Sequence, residues 1–210
     1  MQEIFNKKWA NKPQEEPNEF AVELVKNSGI YQNLQILEIG AGNGRDTKFF
    51  VENGIKVDAV EISDSGVEQL EKIKYNILIL KQDIREMKLQ REKYDYIYSF
   101  SVLHYFKKEE RENILKNIYT SLKDNGELFI ACRSEADLMA EKSIAGNFNG
   151  VKRTFFTSEQ LKKEISNAGF EIKKIEQKNI QYHKLVEEPV SNFIQVVAQK
   201  KMNKNYGLGL

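Results

Sequence analysis

Cysteine is nearly absent from this chain of 210 residues, and that scarcity excludes a good deal of chemistry. Cys132 stands alone, so no intrachain disulfide and no thiolate cluster for zinc can form. Histidine is almost as rare. With only His104 and His183, a histidine-built metal site is not expected, and the reading is that the protein holds no metal. Prolines occur only at positions 13, 17 and 189, so the middle of the chain runs without an obvious linker. No apolar run approaches the roughly 18–20 residues of a membrane span, and the opening MQEIFNKKWANK lacks the apolar centre of a signal peptide. An excess of one charge is missing too: 32 basic residues face 31 acidic ones, for a net charge of +1. No whole-molecule field then favours nucleic acid or a membrane surface. These absences together predict a cytoplasmic protein with neither partner.

What is present is ordinary globular material, 40% hydrophobic and 30% charged, enough for one sizeable domain. Short apolar runs alternate with amphipathic ones. Strands are expected at Gln35–Ile39, Lys56–Val60, Ile77–Leu80, Tyr94–Phe100 and Glu127–Ala131, because these runs are rich in Ile and Val and mostly apolar on both faces. Helices are expected between them: 46–53, stopped by Asn-Gly, then one capped by Ser63 and running to about Lys72, then Glu109–Leu122. Thr157 and Gln160 have the spacing of a capping box, opening a helix that Gly169 stops. A further helix is expected over Pro17–Asn27. This alternation predicts an α/β, doubly wound, mostly parallel sheet. The rhythm changes at the end, where Phe170–Lys178 and Phe193–Lys200 have no helix between them and are expected to pair antiparallel.

In such sheets ligands bind beyond the carboxyl ends of the strands. There, ILEIGAGNGR places Gly40, Gly42 and Gly44 directly after the first strand, where a bare backbone can turn tightly and approach a ligand. Glu61 ends the second strand, followed by Ile62; a carboxylate at that place can accept hydrogen bonds from both ribose hydroxyls, which indicates an adenosine ligand without saying which one. Asp83 follows the third strand beside Ile84, where the acid can accept the adenine amino group while the isoleucine packs on the ring. An ordinary turn residue is the other reading of Asp83. No Gly-Lys-Ser/Thr follows the loop, so it is not a P-loop, and the third glycine comes one residue too soon for a nicotinamide fingerprint.

The series ILEIGAGNGR, VEIS, KQDI, YDYIYSFSVLHYF and LKDNGELFIACR resembles the motifs of class I S-adenosylmethionine-dependent methyltransferases, over roughly residues 17–200. The resemblance implies a Rossmann-like sheet of seven strands with an antiparallel C-terminal strand, and S-adenosylmethionine as cofactor. It implies a segment at 1–30 that folds as a lid or helix, the methyltransferase domain over 31–201 with a substrate cap at 132–156, and a flexible tail at 202–210. Glu38, in the first strand, would pair with the ammonium of the cofactor's amino-acid tail or orient the loop amides; a carboxylate that merely braces the loop is the plainer reading. Ser99 and Phe100, ending the fourth strand, would face the cofactor.

On the target side, His104 can take a proton from the acceptor, its ordinary pKa being near 6.5. A structural His104, packing the next helix on the sheet, is an equal reading, and Tyr105 shares the ambiguity. Asn/Asp-Pro-Pro-aromatic, frequent in enzymes that methylate bases or glutamine, is replaced by SFSV. Within the class, Arg-Ser at the fifth strand end and Arg-x-Phe-Phe-Thr before the next helix resemble tellurite-resistance-type and other small-molecule methyltransferases, with part of the intervening loop helical from about Glu135 to Lys142. Arg133 and Arg153 would then line the acceptor pocket, arginine being suited to carboxylates; surface salt bridges are the alternative for each. Trp9 either closes over the cofactor or simply anchors the N-terminus. The expected function is methyl transfer to a small-molecule acceptor, with a non-catalytic S-adenosylmethionine-binding module and a nicotinamide oxidoreductase as alternatives.

Overall fold

The computed structural model describes residues 1–29, 33–138, 140, 147–148, 151–180 and 191–201. The expected tail at 202–210 falls outside them, as do residues 139, 141 and 142 of the helix expected over Glu135–Lys142. Helix α1 (Gln2–Trp9) and helix α2 (Glu19–Ser28) precede the sheet. Then β1 (Gln35–Ile39), α3 (Arg45–Glu52), β2 (Lys56–Glu61), α4 (Asp64–Leu70), β3 (Leu78–Lys81) and β4 (Tyr94–Phe100) alternate as expected. A single 3-10 turn, Leu103–Tyr105, leads into α5 (Lys108–Ser121) and β5 (Leu122–Arg133). A two-stranded hairpin, β6 (Asn147–Phe148) with β7 (Val151–Lys152), precedes α6 (Ser158–Asn167), β8 (Glu171–Ile180) and β9 (Ser191–Gln199).

The main sheet has seven strands in the order β3-β2-β1-β4-β5-β9-β8. Strands β1 to β5 pair in parallel, whereas β9 runs antiparallel to both β5 and β8. This is the doubly wound, Rossmann-like sheet with an antiparallel last strand that the motifs implied. Order reverses between β1 and β4, so the crevice beyond β1 and β4 is where this topology opens a binding site.

Alternation along the strands divides the core between the two faces. Ile36, Tyr98 and Phe129 point to one face, where Phe20 and Leu24 of α2 and Phe50 of α3 cover them. Leu37, Ile97, Leu128 and Ile130 point to the other, under Ile114, Leu115 and Ile118 of α5 and Leu161 and Ile165 of α6. Each such fully buried side chain is worth about 1.5–3 kcal/mol, so burying the central strands on both faces fixes the strand ends that carry the site.

Local chemistry sets the boundaries. Asn18, not Pro17, caps α2, its side chain accepting from the Phe20 N–H at 2.9 Å, and the helix therefore starts two residues later than proline placement suggests. The Thr157–Gln160 capping box forms as expected, with both reciprocal bonds at 3.0 and 3.1 Å. Strand β5 begins earlier than its apolar run, because Leu122 pairs with Tyr94 before the ladder shifts register and resumes at Tyr96 and Glu127. No helix among the described residues is long and apolar enough to cross a membrane.

Candidate functional site

A cavity of about 910 Å³ opens beyond the ends of β1, β2 and β4, within the size range of small-molecule sites. The turn after β1 shapes its floor. Gly40 and Gly42 both adopt positive φ, 75° and 59°, which a residue with a Cβ adopts only with strain. Space matters as much as conformation. A Cβ on Gly40 would lie 2.3 Å from a methyl of Val102, and one on Gly42 would lie 2.7 Å from the Trp9 indole. Gly44 instead starts α3 and does not line the cavity.

Behind this floor stand buried acids. Glu61 is 4% exposed; it accepts from the Gly42 N–H at 2.8 Å and from the Ser63 N–H and hydroxyl at 2.8 and 2.6 Å. One carboxylate thus fixes both the glycine turn and the start of α4. Glu38, also buried, accepts from the Thr47 hydroxyl at 2.5 Å. Burial, and then the neighbouring Asp46, push its carboxyl up to about 8, outweighing Thr47 and Arg45. Asp46 itself receives Arg45 at 2.6 Å, the Tyr98 hydroxyl at 3.0 Å and the Asn18 N–H at 2.8 Å. Asp83 lies at the third strand end, half-buried and clasped by Arg85 at 2.6 Å. Its burial alone would raise the carboxyl, but the bonds from Arg85 prevail and hold it below the usual carboxylate range.

The cavity gathers Glu38, Gly40, Gly42, Glu61, Ile62 and Asp83, and with them Ile84 and Phe100. It is also lined by Trp9, which lies against Gly42, and by Tyr105, Arg133 and Arg153. Ser99 does not line it, since alternation turns that side chain away from where Phe100 points. His104 does not line it either. Its ring is wholly buried, neither nitrogen has a hydrogen-bond partner among the described residues, and burial together with Arg133, Arg153 and Lys8 drives its pKa well below the ordinary value. The expectation of His104 as a proton acceptor therefore has no geometric route: solvent and cavity both fail to reach it. The reason is the 3-10 turn, which sends Leu103 and His104 inward while Tyr105 meets the cavity.

Several lining residues carry no sequence signal. Lys8 and Asn43 face the cavity, and Ser101 does so with φ 64°, a left-handed conformation uncommon for serine. Asn43 follows a glycine in a glycine-rich turn, which was the available hint; nothing local marks Lys8. The N-terminal segment is held on the body by hydrogen bonds, and its Trp9 lines the cavity. Helix α1 rests on α4, where the Asn6 side chain accepts from the Asp64 N–H at 2.7 Å and the Ser65 hydroxyl donates to the Asn6 carbonyl at 2.8 Å. Further along, the Asn43 amide donates to the Pro13 carbonyl at 2.9 Å, which ties the chain after α1 to the glycine turn.

The sequence profile of the family described as "Methyltransferase domain" matches residues 36–126, the stretch from β1 into β5 that builds this cavity floor. Residues 36–126, under half of the chain, are thus similar to methyltransferase domains. Phosphoethanolamine N-methyltransferase 1 of Triticum aestivum is 31% identical over 106 residues, 48% of this chain and 21% of its own length. The chain thus spans about a fifth of that relative. Among solved structures, TehB from Haemophilus influenzae superposes with a TM-score of 0.69 at 21% identity, over 95% of this chain and 67% of TehB. The 1,6-didemethyltoxoflavin-N1-methyltransferase of Burkholderia thailandensis, with S-adenosylhomocysteine bound, gives 0.69 at 18% identity, over 88% of this chain and 78% of its own. The chain accordingly shares the fold of these two solved proteins, including strands outside residues 36–126.

Proposed function

We propose that this protein transfers a methyl group from S-adenosylmethionine to a small-molecule acceptor, releasing S-adenosylhomocysteine. The observation that carries the reading is the acidity of the crossover. Three carboxylates, Glu38, Asp46 and Glu61, are buried beside a glycine turn, and the first of them stays protonated near neutral pH for want of compensating charge. A pyrophosphate would meet the Asp46 and Glu61 carboxylates there, and the Gly42 N–H is already given to Glu61. A cationic, adenosine-bearing ligand fits instead. When bound, S-adenosylmethionine supplies a methyl group already activated on a positive sulfur.

The chain's own residues do the rest. Glu61 offers a carboxylate to the ribose hydroxyls, Glu38 compensates the ammonium of the amino-acid tail, and Asp83 with Ile84 takes the adenine edge and face. Gly40 and Gly42 let the backbone approach without side chains. Tyr105, Trp9, Arg133 and Arg153 wall the acceptor side and exclude water, so that alignment of donor and nucleophile carries much of the rate. With His104 sealed in the core, the acceptor's proton leaves to solvent or to a group of the acceptor itself. The 1,6-didemethyltoxoflavin and phosphoethanolamine methyltransferases support a small-molecule acceptor, their names pointing to compounds of that size. The test is transfer of radiolabel from methyl-labelled S-adenosylmethionine across a panel of metabolite acceptors. Labelled product from at least one is expected, and binding without turnover on any would favour a non-catalytic module.

A further inference from the structure

Charge is unevenly spread around the cavity. Glu38, Glu61 and Asp83 follow β1, β2 and β3, where Asp46 is paired with Arg45; Arg133 and Arg153 belong to the end of β5 and the segment after β7, and Lys8 reaches in from α1, with Lys12 beside Glu15 just beyond it. We propose that Lys8, Arg133 and Arg153 form an oxyanion subsite, so that the methyl acceptor carries a carboxylate or phosphate group. This rests on the methyl-transfer reading and specifies its second substrate.

The three cations are held together against their mutual repulsion. Arg133 donates to Asp137 at 2.7 Å and to the Ser191 hydroxyl at 3.0 Å, yet its buried Nε has no hydrogen-bond partner among the described residues. Lys8 forms no salt bridge among the described residues; its ammonium sits 4.3 Å above the Trp9 ring and 5.8 Å from that of Phe5. Lys8 is exposed to solvent, yet the protein packed around its ammonium, and then the charges of Lys12, Arg153 and Arg133, lower its pKa to about 8 against the pull of Glu61. Positive charge crowded in this way is stabilised by an anion. Arg153 lies 5.1 Å over the Tyr105 ring, which Phe5 meets edge-on at 5.2 Å. A guanidinium is a planar fork of donors suited to bidentate oxyanion binding. Aromatic faces beside it suit the apolar body of the same molecule. The sulfonium side and the anionic side of the cavity then hold the two substrates by opposite charge, which fixes their relative orientation.

Trp9 is the sole tryptophan, so its indole N–H gives one assignable NMR cross-peak beside Lys8. The full chain, saturated with S-adenosylhomocysteine, would be titrated at constant ionic strength with sodium phosphate, with sodium benzoate and with choline chloride. A saturable shift of that peak with phosphate or benzoate, and none with choline, is expected; which anion saturates tells phosphate from carboxylate. Lys8→Gln and Arg153→Gln should each weaken the response about tenfold, the loss of one charge-assisted bond. Calorimetry on the same samples reads S-adenosylhomocysteine binding. If that ligand binds while neither anion saturates, or if both variants bind the anion as the parent does, the oxyanion subsite is wrong and the methyltransferase reading stands. If S-adenosylhomocysteine itself does not bind, both fall.

Discussion

A carboxyl group held at about 8, as Glu38 is, keeps its proton at neutral pH while an unfolded chain would have lost it. Its contribution to stability is therefore complete below about 4.5, the ordinary value, and disappears as pH rises toward 8. Glu38→Gln removes that slope. The variant should melt higher than the parent by a margin that grows from pH 5 to pH 8, worth on the order of a few kcal/mol at the upper end. A ligand cation should reverse the preference, so binding of S-adenosylmethionine near pH 7 should release about one proton in the parent and none in Glu38→Gln. Calorimetry in two buffers of different ionisation enthalpy measures this; equal proton release in both proteins would separate Glu38 from the ligand. At this scale the sequence was informative about acids and glycines, because a strand end followed by Gly-x-Gly leaves few roles for its side chains. It was silent on Ser101 and misleading on His104, whose directions depend on a 3-10 turn that no local pattern announces.

The elements that hold these residues differ in how far local chemistry determines them. Strands β1 and β4 appear with the boundaries expected of them, since each is an apolar run with a polar residue or glycine at its end. The helix boundaries move by a residue or two, and α2 starts at the side-chain cap Asn18. Helix α1 has no buried residue, and what holds it lies more than fifty positions away in α4. A segment whose partners are that remote shows no signal of its own. Its attachment can be tested through Asn6, which caps the first N–H of α4. Asn6→Ala should cost about 1 kcal/mol, the usual worth of a cap. It should also shift Trp9 emission to the red as α1 loosens from the glycine turn. Unchanged emission would mean that α1 is held elsewhere.

For the whole molecule, the alternation of strands and helices sufficed to foresee a doubly wound sheet and an antiparallel end. It could not place β9 between β5 and β8, because strand order is a property of tertiary pairing. One buried ion pair locks the acceptor side to this frame. Arg111 of α5 binds Glu164 of α6 at 2.5 and 2.8 Å, and its remaining nitrogen donates to the Phe106 carbonyl at 2.8 Å, just beyond the turn that bears Tyr105. Removing one member of such a pair strands the other, so Arg111→Ala should lower unfolding free energy by about 3–5 kcal/mol. Urea denaturation reads that loss, and a change below about 1 kcal/mol would show that solvent reaches Glu164 readily.

The division of the cavity into an acidic adenosyl side and a basic acceptor side depends throughout on which nucleoside ligand the crossover takes. Isothermal calorimetry of the full chain with S-adenosylhomocysteine and, separately, with NAD decides that directly. Saturable binding of the first at one site per chain, with no heat from the second, is the predicted result. Binding of NAD without binding of S-adenosylhomocysteine would contradict it.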